Sequence, residues 1–261
     1  MSWGNPTALN SRRCVTSELK IFLGALGVVL GSMPFYVLSG ARGRPDLLRS
    51  EAHGSFILGS FLNDWFHWFV RPLERASLAT GLSPTFYNLL GVAFGFAAGL
   101  AFATGHLALG GWGVLLGGVA DVMDGRIARA RGVADDRGAF LDSTLDRFAE
   151  FGVFVGLAVL FRSSALAVTL VVLSLGGSLL VSYTRARGET QGVVCKAGLM
   201  KRAERLLALG FGGLLDPTVS SLWGNGRVGT LLVPVLGLVA LGTLGTAVYR
   251  TAWIAKELRG K

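Results

Sequence analysis

Long apolar runs, broken at intervals by short polar or basic segments, dominate the chain from residue 84 onward. Each run approaches the length of about 20 residues that a helix needs to cross a bilayer. The pattern predicts six spans, over approximately residues 84–103, 107–130, 138–161, 164–186, 201–222 and 228–250. Connections such as Gly105 to Gly110 and Arg162 to Ser164 are short, which makes consecutive spans antiparallel neighbours.

Upstream the pattern changes. Phe56, Phe61, Trp65, Trp68 and Phe69 interleave with Asn63, Asp64, His67, Arg71, Glu74 and Arg75. That mixture suits a helix lying at the headgroup boundary. Ser83-Pro84 then fits the start of the first span, since proline is favoured in the first helical turn. Residues 21–40 are apolar as well and fit an extra span, an interfacial helix or an apolar presequence. Arg12, Arg13 and Lys20 precede this segment, and Arg42, Arg44 and Arg49 follow it, so charge gives it no orientation. Its late start, Pro34 and the lack of a small-residue cleavage pattern argue against a cleaved signal peptide. The preferred reading is a membrane-associated helix outside the core. The resulting division is an N-terminal extension over 1–55, an interfacial amphipathic helix over 56–82, a six-helix membrane domain over 83–255 and a tail over 256–261.

Composition strengthens the membrane reading. Hydrophobic residues make up 51% of the 261 positions and charged residues 16%, against about 25% charged in average soluble domains. Mean hydropathy is +0.55. The 38 glycines suit helices whose backbones approach closely inside a bilayer. The net charge of +9 does not indicate nucleic acid, because the basic residues lie between apolar runs rather than on one polar face. They alternate with the crossings instead. Arg126, Arg129, Arg131 and Arg137 follow span two, whereas Arg185, Arg187, Lys196, Lys201, Arg202 and Arg205 follow span four. Arg250, Lys256, Arg259 and Lys261 close the chain, and the opposite connections hold Arg162 and Arg227. Positive residues mark the cytoplasmic side, so both ends of the core belong there, in a multi-pass inner-membrane protein. Cys14 and Cys195 have no CxxC spacing, and His53, His67 and His106 are scattered, so neither suggests zinc.

The chemistry concentrates between spans two and three. Asp121 and Asp124 are spaced i,i+3, and Asp142 and Asp146 i,i+4, so each pair occupies one helix face. Antiparallel neighbours joined near residues 131–138 bring the four carboxylates together at the membrane boundary. Unpaired carboxylates are costly there. A hard divalent cation compensates them, and oxygen donors suit magnesium, manganese or calcium better than zinc. Gly125 and Ala128 keep the helix surface thin for a base or pyrophosphate, Arg129 suits bidentate phosphate contact, and Gly138 relieves crowding at the next helix. A purely structural reading, with these aspartates capping helices and pairing with Arg126, Arg129, Arg137 and Arg147, leaves the two same-face pairs unexplained.

The segment reads Asp121-x2-Asp124-Gly125-x2-Ala128-Arg129-x8-Gly138-x3-Asp142-x3-Asp146 and resembles, at every signature position, the CDP-alcohol phosphotransferase (CDP-alcohol phosphatidyltransferase) family. With the span pattern, the resemblance covers roughly residues 60–255. It implies an all-α, six-transmembrane-helix fold, usually a homodimer, with a polar cavity open to the cytoplasm. It further implies that Asp121, Asp124, Asp142 and Asp146 hold Mg2+ or Mn2+. Asp121, Gly125, Ala128, Arg129, Gly138 and Asp142 would bind the CDP donor, and Asp146 would be the general base. The implied reaction moves a phosphatidyl group from CDP-diacylglycerol to an alcohol and releases CMP.

The basic segment at 182–206 bears on the alcohol. Arg185, Arg187, Lys201, Arg202 and Arg205 are candidates to hold a phosphate on the acceptor; orientation charge and membrane-lipid headgroup contact are the other reading. GAFLDSTLDR, SYTRARGE and KRAERL resemble the phosphatidylinositol phosphate synthase branch, which implies inositol 1-phosphate as acceptor. Gly188 departs from the alanine of that branch's ARAE-like segment. Glycerol 3-phosphate, phosphatidylglycerol and serine are the alternative acceptors. An ion or metal transporter is the alternative of another class, but it predicts polar residues along several spans, whereas spans one, four and six are almost wholly apolar. A non-catalytic scaffold gives no reason for the aspartate spacing.

Overall fold

Ser83 and Pro84 open the first long helix as predicted, with Ser83 Oγ accepting from the Phe86 amide at 3.2 Å. The computed structural model describes residues 24, 27, 31–39, 60–195, 197–223 and 226–259; Lys196, Lys261, residues 56–59 and most of 1–55 lie outside the described residues. All regular structure among the described residues is helical. A helix α1, described continuously over residues 31–38, precedes α2 (Ser60–Ala79), the interfacial helix. Six long helices follow: α3 (Pro84–Ala103), α4 (Leu107–Ala130), α5 (Asp136–Leu160), α6 (Ala165–Thr190), α7 (Arg202–Trp223) and α8 (Leu232–Arg259). Among the described residues, α3, α4, α6, α7 and α8 are long and apolar enough to cross a membrane. The other long helix, α5, has the length but carries the charges of Asp142, Asp146, Arg147 and Glu150.

Packing follows the short connections. α3 lies between α4 and α5, α4 also meets α7, α6 pairs with α8, and α5 touches α6. Phe102, Phe154, Leu157, Leu232, Leu236 and Val239 form the principal apolar core. Large apolar residues such as Leu100, Leu109, Leu166, Leu238, Leu241 and Val248 face outward, where a bilayer is their natural solvent. Small residues set the tightest approach. A Cβ on Gly95 of α3 would lie 2.6 Å from the Ala149 carbonyl oxygen of α5, so a larger residue does not fit at that crossing.

Three boundaries differ from the sequence expectation. α6 continues to Thr190, which places Arg185 and Arg187 on helix rather than in a turn. α8 starts at Leu232 because residues before it turn through Gly229, whose φ is 89°. The buried Asp216 of α7 holds that turn, accepting from the amides of Gly229 at 2.9 Å, Leu231 at 2.7 Å and Leu232 at 2.9 Å. At its other end α8 runs through Lys256 to Arg259, into the stretch expected to be tail, because no helix breaker precedes Gly260.

The N-terminal aromatic residues turn inward more than an interfacial role alone requires. Trp65 is buried and donates to Ser32 Oγ at 3.0 Å, while the Tyr36 ring packs against Trp68 and Phe61. α1 therefore covers part of α2.

Candidate active site

The aspartates lie at the ends of α4 and α5 that meet across the 131–135 turn. Asp135 caps α5, its Oδ1 accepting from Gly138 N at 2.7 Å. That cap aligns α5 so that Asp142, Asp146 and Glu150 share one face at i,i+4 spacing. Oxygen atoms of Asp121, Asp142 and Asp146 all lie within 4.8 Å of one another. Asp124 is buried, and Asn88 of α3, with its amide turned to donate, reaches Asp124 and also Asp142 Oδ1 at 3.1 Å.

Arg202, the first residue of α7, lies against this group. Its Nη2 is 2.7 Å from Asp146 Oδ1, its Nε 3.4 Å from Asp121 Oδ1, and its Nη1 donates to the Asp146 carbonyl oxygen at 3.2 Å. One turn deeper, Glu150 accepts from Arg205 Nε at 2.9 Å, from Ser178 Oγ at 2.5 Å and from Arg147 Nη1 at 3.2 Å. A space of about 200 Å³, partly open to solvent, is lined by Tyr87, Asn88, Asp121, Asp124, Asp146 and Arg202 among others. A neighbouring space of about 290 Å³ shares Gly91, Gly117, Ala149 and Arg202 with it and reaches Glu150.

These residues fit a divalent cation. The donors are carboxylate oxygens, the preferred ligands of magnesium and manganese. Charge agrees as well. With Asp121, Asp124, Asp142, Asp146 and Glu150 ionised, five negative charges face the three positive charges of Arg147, Arg202 and Arg205. The excess is negative, the sign that a bound cation would offset.

The other predicted site residues spread more widely. Arg129 folds back over Gly125, its Nη1 lying 3.1 Å from where a Gly125 Cβ would be. Ala128 is half-buried on the same helix, and Gly138 is exposed with its amide engaged by Asp135. Arg185 is exposed and pairs with Glu189 at 2.8 Å, and Arg187 is exposed nearby. Lys201 is half-buried beside Arg202, whereas Arg205 is 1% exposed and turned into Glu150. Arg250, expected to be a tail charge, is buried and donates to the carbonyls of Ala197 at 2.8 Å and Val181 at 2.9 Å. Gly188, the departure within the basic segment, lies under α8: a Cβ there would meet Ile254 Cδ1 and the Val193 carbonyl oxygen at 2.8 Å.

Sequence reasoning missed Asn88 and Glu150. Both carry a signal: Asn88 is polar within an apolar run, and Glu150 continues the Asp142–Asp146 spacing by one more turn.

Known proteins resemble this chain in sequence and in fold. The sequence profile of the CDP-alcohol phosphatidyltransferase family matches residues 82–235. A phosphatidylinositol phosphate synthase of Streptomyces avermitilis is 33% identical over 228 residues, covering 82% of this chain and 91% of that protein. The crystal structure of Mycobacterium tuberculosis phosphatidylinositol phosphate synthase with CDP-DAG bound aligns with a TM-score of 0.60 at 31% identity, covering 70% of this chain and 92% of that one. The same enzyme in complex with manganese and citrate gives a TM-score of 0.61 at 30% identity, covering 70% and 87%.

Proposed function

The chain belongs to the CDP-alcohol phosphatidyltransferase family, and on that premise we propose that it transfers the phosphatidyl group of CDP-diacylglycerol to inositol 1-phosphate, giving phosphatidylinositol phosphate and CMP. It is an integral membrane, divalent-metal-dependent transferase, and family membership replaces the transporter reading. The observation that carries the proposal is the convergence of Asp121, Asp142 and Asp146 from two helices, with Arg202 against them.

Asp121, Asp124, Asp142 and Asp146 would hold the metal. When bound, magnesium or manganese supplies positive charge to the diphosphate and to the departing CMP. Asp121, Gly125, Ala128, Arg129, Gly138 and Asp142 are assigned to the CDP donor, with Asn88 orienting Asp124 and Asp142. Asp146 accepts the proton of the acceptor hydroxyl. The hydroxyl oxygen then bonds to the lipid-bearing phosphorus while the bond from that phosphorus to CMP breaks. Arg202 fixes the Asp146 carboxylate through its 2.7 Å contact. Lys201, Arg202, Arg185 and Arg187 are the candidates for the acceptor's phosphate, and Arg205 serves that site indirectly through Glu150.

The basic residues at the aspartate end support an active site facing the cytoplasm, in the inner membrane. The acyl chains of the donor would remain among membrane lipids, and the family resemblance supports a homodimer. Purified protein incubated with CDP-diacylglycerol, magnesium and single alcohols tests the assignment. CMP release should require inositol 1-phosphate; release with glycerol 3-phosphate, phosphatidylglycerol or serine instead would reassign the acceptor. Asp146→Asn should abolish turnover while keeping most donor binding, and near-normal turnover would remove Asp146 from the role of base.

A further inference from the structure

Two buried polar ties connect the interfacial helix α2 to the walls of the aspartate site. In the first, Arg126 of α4 donates through Nε to Glu74 Oε2 at 2.6 Å, and its Nη2 pairs with the same oxygen. Its Nη1 reaches His67 Nδ1 at 3.0 Å, and because a guanidinium only donates, that nitrogen accepts. Arg126 is 1% exposed and Glu74 7%. Arg126 stands two positions after Asp124, within the same helical turn. In the second tie, the hydroxyls of Ser77 on α2 and Tyr87 on α3 are hydrogen-bonded in a buried contact. Tyr87 adjoins Asn88, the residue that touches both Asp124 and Asp142. Val70, Met123 and Ile127 pack around these groups.

A buried ion pair is weak evidence for stability, because well-packed apolar residues often replace it without loss. Its placement here argues for geometry. Both ties lead from α2 to Asp124, one through the backbone of α4 and the other through Asn88. We propose that α2 braces the site from the membrane interface, with Glu74 and Arg126 as positioning residues that fix Asp124 relative to Asp142. The proposal rests on the aspartate site assigned above.

The decisive variant is Glu74→Leu with Arg126→Met, which removes both charges and keeps apolar volume. Thermal unfolding in detergent, Mn2+ affinity by electron paramagnetic resonance and kcat per folded molecule are measured for it and for each single change. The double variant should recover the melting temperature lost by the singles. Its kcat should nevertheless remain about tenfold low, the scale of a sub-ångström displacement, with Mn2+ bound several-fold more weakly. A double variant with wild-type kcat and Mn2+ affinity overturns the proposal, whatever its melting temperature. Should the double variant fail to fold, Ser77→Ala decides, because it removes the α2 hydroxyl of the second tie at a residue outside the lining of the site. A fall in kcat and Mn2+ affinity at unchanged melting temperature supports the brace, and wild-type values of both overturn it. Activity surviving in Asp146→Asn marks failure of the site assignment itself, independently of these variants.

Discussion

Replacing Gly95 by alanine measures how closely activity depends on the α3–α5 crossing. The added Cβ would lie 2.6 Å from the Ala149 carbonyl oxygen and 2.7 Å from Ala149 Cα, both of them backbone atoms that cannot rotate away. An ordinary contact begins near 3.4 Å. The two helices must therefore separate by about 0.8 Å at this point, the difference between an ordinary contact and the 2.6 Å approach. Asp146 lies three residues before Ala149, about 4.5 Å along α5 at roughly 1.5 Å per residue, so nearly the whole displacement reaches its carboxylate. A misplacement of about 1 Å can cost about 100-fold in rate. Gly95→Ala should accordingly lower kcat for CMP release by roughly 10- to 100-fold, with about 1–3 kcal/mol of stability lost to overpacking. Gly176→Ala on α6 is the control, because a Cβ there meets nothing within 4 Å. CMP release per folded molecule and thermal unfolding in detergent read both effects. Wild-type kcat in folded Gly95→Ala would refute the dependence of Asp146 on this contact.

Two further outcomes separate stability from chemistry. Asp216→Ala leaves the buried amides of Gly229 and Leu232 and the half-buried amide of Leu231 without their acceptor. It should lower stability by about 3–5 kcal/mol, given roughly 1.5–3 kcal/mol for each hydrogen bond to a charged group and incomplete additivity. Activity per folded molecule should persist, since Asp216 lies about 21 Å along α7 from Arg202 at roughly 1.5 Å per residue; an unchanged melting temperature would count against its capping role. Arg205→Gln leaves Glu150 without its closest guanidinium and should cost about 3–5 kcal/mol, the scale for breaking one side of a buried pair. Its effect on KM should not be confined to the acceptor, and a raised acceptor KM at wild-type melting temperature would make Arg205 a direct phosphate ligand.

The spans were legible because the bilayer imposes both a length and an apolar composition, and helices α3 to α7 begin and end within a few residues of the sequence reading. The start of α8 was not, because the turn before it depends on Asp216, thirteen or more positions upstream of the amides it binds. The aspartates were legible for a local reason: i,i+3 and i,i+4 spacing is a property of single helices. The arginines were not. Arg126 and Arg250 read as basic loop or tail charges and Arg205 as a ligand for the acceptor's phosphate, but their partners stand 52, 53 or more and 55 residues away. Arg202 was singled out for an acceptor phosphate, and its contact with Asp121 and Asp146 follows from the packing of α7 against α4, which lets its side chain reach α5.

The charged face of α5 has a consequence for how the molecule is made. Glu150 leaves the ribosome 55 residues before Arg205. At about 5–20 residues per second, it waits roughly 3–11 seconds for that guanidinium. During this interval Glu150 has Arg147 of its own helix but neither Arg202 nor Arg205 beside it, and an ionised acidic group costs at least about 2.5 kcal/mol at the centre of a membrane. α5 is therefore poorly suited to enter lipid alone when it is first synthesised. The full set of charge partners for Asp146 and Glu150 is therefore complete only once α7 has been made.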